Sequence, residues 1–302
     1  MVEEDAGSGG HTPSFLRQCL EYLRANGHSF VSIEDIIDHL SHDKPLPPKP
    51  VAFTMDDGFE DQATLAAPVF IEFDCPATLF VVTGMLDEQL WPWFSKVEYL
   101  IDHCKENTIE LELPSGKKTF TLDTPHQNSK ASACIQEEIK GMPWEQVDGM
   151  LETISRTTQV DIPLTAPKQY RPITWETART LEKQGIRLGP HTVSHPILSK
   201  TDDIQSTAEI TRSWQRLKEE LSSPSPVFCY PNGRSADFGQ REIDIIKSNG
   251  LSGALSTVTG CASKDDPTTS DLYRLPRFGL PGTFDDFIQY STWIEYAKQR
   301  IR

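Results

Sequence analysis

Val51-Ala52-Phe53-Thr54-Met55-Asp56-Asp57-Gly58-Phe59-Glu60-Asp61 decides how the rest of the chain is read. Residues 51–55 form a short apolar run with the character of a fully buried strand. Gly58 turns the chain, and Glu60 and Asp61 suit the first turn of a helix, where carboxylates meet the positive end of the helix dipole. Asp56 and Asp57 are adjacent carboxylates at the mouth of that strand, and like charges so close disfavour joint ionisation. A bound cation relieves the repulsion, leaving one carboxylate as a ligand and the other as a base. The segment alone is equally compatible with a strand-to-helix turn capped by an aspartate.

Outward from this stretch, strand and helix patterns alternate. Upstream, Phe15, Cys19 and Leu23 recur four apart in a helix over 12–25, with Pro13 in its first turn and Gly27 past its end. A short strand over 29–31 follows, then a Ser32-capped helix over 33–40 and a stiff, proline-rich linker. Downstream, residues 61–73 read as helix and 77–83 as a second buried strand. Residues 85–170 break the rhythm. They hold an aromatic segment (Trp91, Trp93, Phe94), a helix over 97–104, and a hairpin alternating Ile109, Leu111 and Leu113 with Phe120 and Leu122. A polar stretch at 123–130 and helices near 131–140 and 144–156 complete the segment.

The alternation then resumes. Thr174 caps a helix over 175–184, followed by a strand at 186–189, a helix at 202–221, a strand at 227–230 and a helix at 240–248. Strands at 253–257 and 272–278 and a Thr283-capped helix reaching about residue 300 close the chain. Strand-then-helix units indicate an α/β protein with a parallel sheet. Seven or so units favour a closed barrel over an open dinucleotide-binding sheet, and no G-x-G-x-x-G turn follows the first strand. The expected organisation is a flexible tail over 1–11 and one barrel domain over 12–302, interrupted by an α+β insertion at about 85–170 that lids or walls a site.

Composition narrows the partners. A formal charge of −15 argues against nucleic acid or an anionic membrane surface, both of which need clustered Lys and Arg. No apolar run reaches the roughly 18 residues of a membrane span. The acidic, glycine-rich start has neither a basic region nor an apolar core of a signal segment, so a cytoplasmic location is expected. The six cysteines are scattered without a Cys-x-x-Cys pair and read as reduced, mostly buried thiols. Oligomeric state is not legible.

Position carries the functional signal. Asp56-Asp57, His191 with His195, and Tyr230-Pro231-Asn232-Gly233 each fall at or just past the C-terminal end of an expected strand, the face on which β/α barrels build active sites. His191 and His195 are two of only eight histidines, bracketed by Pro190 and Pro196 in a tight loop that can aim both imidazoles at one ion. Two histidines and one carboxylate leave coordination positions open, the signature of a catalytic metal site.

These residues resemble the polysaccharide deacetylases, carbohydrate esterase family 4. The family's T-F-D-D-G motif matches Thr54-Met55-Asp56-Asp57-Gly58 with Met for Phe, and H-[ST]-x-x-H matches His191-Thr192-Val193-Ser194-His195. The phrases Phe-Val-Ser-Ile-Glu-Asp and Thr-Trp-Glu…Gly-Pro-His-Thr are similar to members acting on bacterial surface glycans, and the resemblance spans roughly residues 12–290. It implies a distorted (β/α)7 barrel holding zinc, or cobalt or nickel in its place, through Asp57, His191 and His195, with Asp56 as general base for the attacking water. The third motif, R-x-P-Y-G, aligns with Cys229-Tyr230-Pro231-Asn232-Gly233. That alignment makes the Asn232 amide the oxyanion donor and Tyr230, Pro231 and Trp175 substrate-binding or wall residues, with packing as the alternative for the two aromatics.

Two departures stand out. The family's third-motif arginine, which braces the base, is Cys229 here, leaving Arg171 or Arg277 as substitutes; and no histidine follows His195 to serve as the family's late acid, leaving only His103 and His126 in the insertion. The expected function is a metal-dependent hydrolase removing an acetyl or formyl group from an amino sugar or glycan in bacterial surface-glycan biosynthesis. Two alternatives remain open: cleavage of a non-sugar C–N amide, and a non-catalytic metal-binding barrel that recognises a glycan or partner.

Overall fold

Nine strands are found in the computed structural model, which describes residues 11–88, 90–266 and 269–292. In chain order they are β1 (Ser29–Phe30), β2 (Pro50–Val51), β3 (Phe53–Asp57), β4 (Ala77–Val81), β5 (Thr108–Leu113), β6 (Gly116–Thr121), β7 (Ile186–Pro190), β8 (Val227–Cys229) and β9 (Gly253–Leu255). β4 lies between β3 and β7 in a parallel sheet that sets Asp57 opposite Val81 and Val81 opposite Pro190. β8 and β9 pair in parallel, and a parallel bridge joins Leu255 to Leu275. β8 runs beside β7, where the Ser225 amide donates to the Leu188 carbonyl at 2.7 Å. At the other side β1 pairs in parallel with β2, which continues into β3.

Parallel neighbours need a return connection, and helices supply it. The carboxyl ends of β3, β7 and β8 therefore point the same way, gathering Asp57, His191 and Cys229 at one end of an α/β fold. Among the described residues the ladders remain separate groups and do not trace one closed sheet. β4 shows why the sheet is central. All five of its residues are buried, as expected for a strand covered on both faces. Its Leu79 and Val81 join Phe70, Leu188, Ile210 and Phe228 in the main core.

The segment interrupting the alternation builds its own core. Helices Trp93–Asp102, Pro125–Lys140 and Val147–Thr158 close over the antiparallel β5–β6 hairpin through Val97, Leu100, Leu111, Ile135 and Ile154. The polar stretch at 123–130 is largely helical, because Thr124 caps it by accepting the Gln127 amide at 3.3 Å and Pro125 suits a first helical turn. The stretch read as a last strand at 272–278 makes only the single bridge at Leu275. Pro276 follows it without an N–H to donate, and the Arg277 amide donates to the Val258 carbonyl at 3.0 Å. The helix after Thr283 is described over Phe284–Tyr290, and its expected extension, like the tail at 1–10, lies outside the described residues. All six cysteines are free thiols.

Gly189 is where β7 meets its neighbours most tightly. A Cβ there would lie 2.6 Å from the Phe80 ring and 3.0 Å from the Val227 carbonyl, neither of which can move easily. Gly189→Ala is therefore expected to destabilise the fold by about 1–3 kcal/mol, read as a lowered melting temperature of the metal-free protein.

Candidate active site

Strand alternation sends the side chains of Asp56 and Asp57 to different neighbours. Asp57 is helped by its own backbone, held at φ 83, in the left-handed region that only a well-determined site retains in a residue other than glycine. The turn beyond it is organised by Gln62, whose Oε1 accepts the Gly58 and Phe59 amides at 3.0 Å each and whose Nε2 donates to the Asp56 carbonyl at 2.5 Å. Gln62 opens a π-helical turn, Gln62–Ala66, a local distortion frequent beside functional sites.

Asp57 faces both histidines. Its Oδ1 lies 3.5 Å from His191 Nε2 and 3.4 Å from His195 Nε2. These separations exceed good hydrogen bonds. They match the spacing of about 3.3 Å between donors sharing a tetrahedral ion at ligand distances of ~2.0–2.1 Å. The Nδ1 of His191 donates to the Cys229 carbonyl at 2.7 Å, which leaves Nε2 as the free donor atom toward Asp57. His195 is buried against the Phe94 ring, 4.9 Å between centroids, and the Trp93 indole donates to its carbonyl at 3.1 Å. The inserted segment thus walls one side of the site.

Protonation follows these surroundings. Burial pushes His195 down to about 4, with Asp57 opposing part of the shift, so its imidazole is neutral and able to ligate at ordinary pH. Burial also disfavours the charged form of His191, but Cys229 and the two carboxylates outweigh it and hold this histidine well above its usual value. A divalent ion bound beside His191 would displace that proton.

Asp56 occupies the other half. Burial opposes its ionisation, yet the Arg277 guanidinium overcomes that and holds the carboxyl well below the usual carboxylate range. Arg277 spends its donors fully: Nη1 to Asp56 Oδ1 at 2.8 Å and Thr54 Oγ1 at 3.0 Å, Nη2 to Asp56 Oδ2 and to Cys229 Sγ at 3.2 Å, and Nε to the Ser256 carbonyl at 3.0 Å. The neutral Cys229 thiol, raised by burial, lies 3.5 Å from Asp56 Oδ1. Asp56, His191 and Cys229 also sit close enough to hold an ion. Arg277 already engages Asp56 and the Cys229 thiol, so Asp57, His191 and His195 are the group better able to bind a metal.

The remaining expected residues are spread around this centre. Asn232 has φ 58, donates its side-chain amide to Asp237, and accepts from Thr257 Oγ1 at 2.7 Å through its carbonyl. Pro231 is buried and accepts the Gly233 amide at 2.6 Å. Tyr230, 1 % exposed, stacks flat on Phe238 at 3.7 Å and donates to the Tyr273 carbonyl, so its ring offers no open face for a sugar. Trp175 is engaged by Asp87, which accepts its indole N–H at 2.7 Å, and by the Arg216 guanidinium over its ring. Arg171 is exposed and engages the site through its carbonyl, which accepts the Glu60 amide. His103 and His126 are both exposed on the inserted segment.

Comparison with known proteins gives the family and the fold. A family model described as polysaccharide deacetylase matches residues 43–253, and the chain belongs to that family. Over 74 residues it is 38% identical to the poly-beta-1,6-N-acetyl-D-glucosamine N-deacetylase of Escherichia coli (strain K12), covering 24% of this chain and only 11% of that protein. Among solved structures it is similar to the Streptococcus pyogenes deacetylase PplD in complex with acetate, with a TM-score of 0.60 and 18% identity over 93% of this chain and 87% of that one. IcaB from Ammonifex degensii gives a TM-score of 0.60 and 18% identity, over 97% and 94% of the two chains. At such identities the structures share the fold.

If the Asp57 group is the metal site, His195→Ala and Asp57→Asn lose stoichiometric zinc after dialysis, whereas Asp56→Asn retains it. Metal content per chain by atomic emission separates the outcomes.

Proposed function

We propose that this chain is a metal-dependent N-deacetylase acting on an N-acylated amino sugar, in the biosynthesis of a bacterial surface glycan. The observation that carries this reading is the division of the carboxylate pair, with Asp57 facing two histidines and Asp56 held ionised by Arg277. Membership of the polysaccharide deacetylase family supports it. A distorted (β/α)7 barrel is the fold reading we favour. The lateral run of parallel segments from β1 and β2–β3 through β4, β7, β8 and β9 to Leu275 supports it.

Asp57, His191 and His195 would hold the divalent ion, zinc on the chemistry of two imidazoles and one carboxylate, with cobalt or nickel able to substitute. The ion supplies Lewis-acid polarisation of the amide carbonyl and acidifies water. The chain's own residues do the rest. Asp56, ionised at ordinary pH, accepts the proton of the attacking water. Arg277 keeps the two Asp56 oxygens in fixed positions and prevents the carboxylate from joining the ligand group. Cys229 serves twice, its carbonyl fixing the His191 ring and its thiol lining the Asp56 pocket. Asn232, with its side chain and carbonyl committed elsewhere, offers its backbone N–H to the developing oxyanion. Phe94 and Trp93 keep water from the far side of His195.

Acetate or formate release from a panel of N-acylated amino sugars, with chelated and zinc-loaded protein, tests the reading. Metal-dependent release is expected, and Asp56→Asn is expected to lower it by about 10²–10⁴-fold. Zinc binding without release from any donor would instead favour a glycan-recognising barrel. Arg277→Met tests the base more finely. Removing the cation that depresses the Asp56 carboxyl raises its pKa, so the carboxylate protonates at higher pH as the medium is acidified. The acid limb of the activity profile is expected to move upward, and an unmoved limb would separate Arg277 from the base.

A further inference from the structure

Between His191 and His195 the chain makes a loop that its own sequence disfavours. Thr192 and His195 are held at φ 69 and φ 59, left-handed conformations that cost free energy in residues other than glycine and persist only when the surroundings impose them. The loop is gripped from two sides. On one side its carbonyls accept the amides that open the short helix Thr83–Leu86, Thr83 N to Thr192 O at 3.1 Å and Gly84 N to Val193 O at 2.9 Å. The approach is close enough that a Cβ on Gly84 would fall 2.6 Å from the Val193 carbonyl.

On the other side stands Glu209, from the helix Asp203–Glu220, 3 % exposed. Its Oε2 accepts the Val193 amide at 2.8 Å and the Ser194 amide at 2.9 Å. Its Oε1 accepts the Ser194 hydroxyl at 2.6 Å and the Gln205 side-chain amide at 2.8 Å. No lysine or arginine among the described residues forms an ion pair with it. A buried carboxylate without a counter-charge is costly and is retained where its donors are all needed. Two of these donors are backbone N–H groups lying between the two histidines.

We propose that Glu209 is a positioning residue for the metal centre: by seizing both amides of the loop, it sets where His191 and His195 hold their nitrogens relative to Asp57. This rests on the metal reading above and extends it to a residue that touches neither ion nor substrate. The role needs an acceptor at the Oε2 position more than it needs charge. The donors at Oε1 are a hydroxyl and a side-chain amide, both able to turn, so a glutamine can keep the two backbone contacts. An alanine cannot, and an aspartate, one methylene shorter, cannot reach them.

The test loads purified full chain with Zn²⁺ and, separately, with Co²⁺. It reads the zinc dissociation constant by chelator competition and the visible cobalt absorption, which reports coordination geometry. Glu209→Ala and Glu209→Asp are expected to weaken zinc binding by roughly 10–100-fold, as loss of outer-shell partners does, and to change the cobalt bands. Glu209→Gln is expected to stay within about threefold of wild type in affinity, with unchanged bands, a rescue in the sense of outer-shell partners that orient ligands. Should Glu209→Ala fail to fold, the aspartate variant decides. A folded aspartate or alanine variant with wild-type affinity and spectrum overturns the positioning role while leaving the metal site standing. A wild-type chain that binds neither ion overturns the metal reading and this role together.

Discussion

Two adjacent carboxylates at the end of a buried strand repel each other wherever they share one environment, and the site depends on their being kept in two. Alternation of side chains along β3 begins the separation, and the positive φ at Asp57 completes it. Asp56 is delivered to a guanidinium and Asp57 to two imidazoles. The parallel sheet serves this arrangement by putting the ends of β3, β7 and β8 at one level, and Gln62 locks the turn that follows the pair.

Arg277 braces the base from a place in the chain far from the motif. The stretch that resembles the family's third motif has Cys229 where an arginine is expected, and the family match ends at residue 253. The small Cys229 side chain leaves room beside Asp56, and the chain returns a guanidinium into that room from 48 residues further on. The same guanidinium ties β3 to the Ser256 carbonyl beyond β9 through Thr54, so the brace of the base also links the two groups of parallel strands.

The inserted segment contributes in a way that composition could not disclose. Its helices and hairpin have a core of their own, and Trp93, a member of that core, and Phe94, packed against it, also touch His195. Aromatic residues at a junction between two cores read from sequence as packing or as ligand wall with equal ease. Tyr230 and Trp175 pose the same ambiguity and fall the other way, Tyr230 into the core against Phe238 and Trp175 against Asp87 and Arg216.

What the sequence by itself determined is the set of local facts: the buried strand ending in Asp56-Asp57, the His-x-x-x-His loop, the alternation of strand and helix, and the segment that interrupts it. These are legible because burial periodicity, turn chemistry and motif spacing act over a few residues. The departures are local too, since Thr124 and Pro125 start a helix in a stretch that looked only polar. Tertiary structure alone decided which arginine braces the base, which aromatic residues pack against His195, and that Gln62 and Glu209 hold the two loops of the site. Each of those assignments depends on a contact between chain segments brought together by the sheet, or on a side chain whose type is common on any helix. Direction and partner are set only when the fold closes, because a carboxylate or guanidinium takes whatever donors or acceptors packing places within about 3 Å of it.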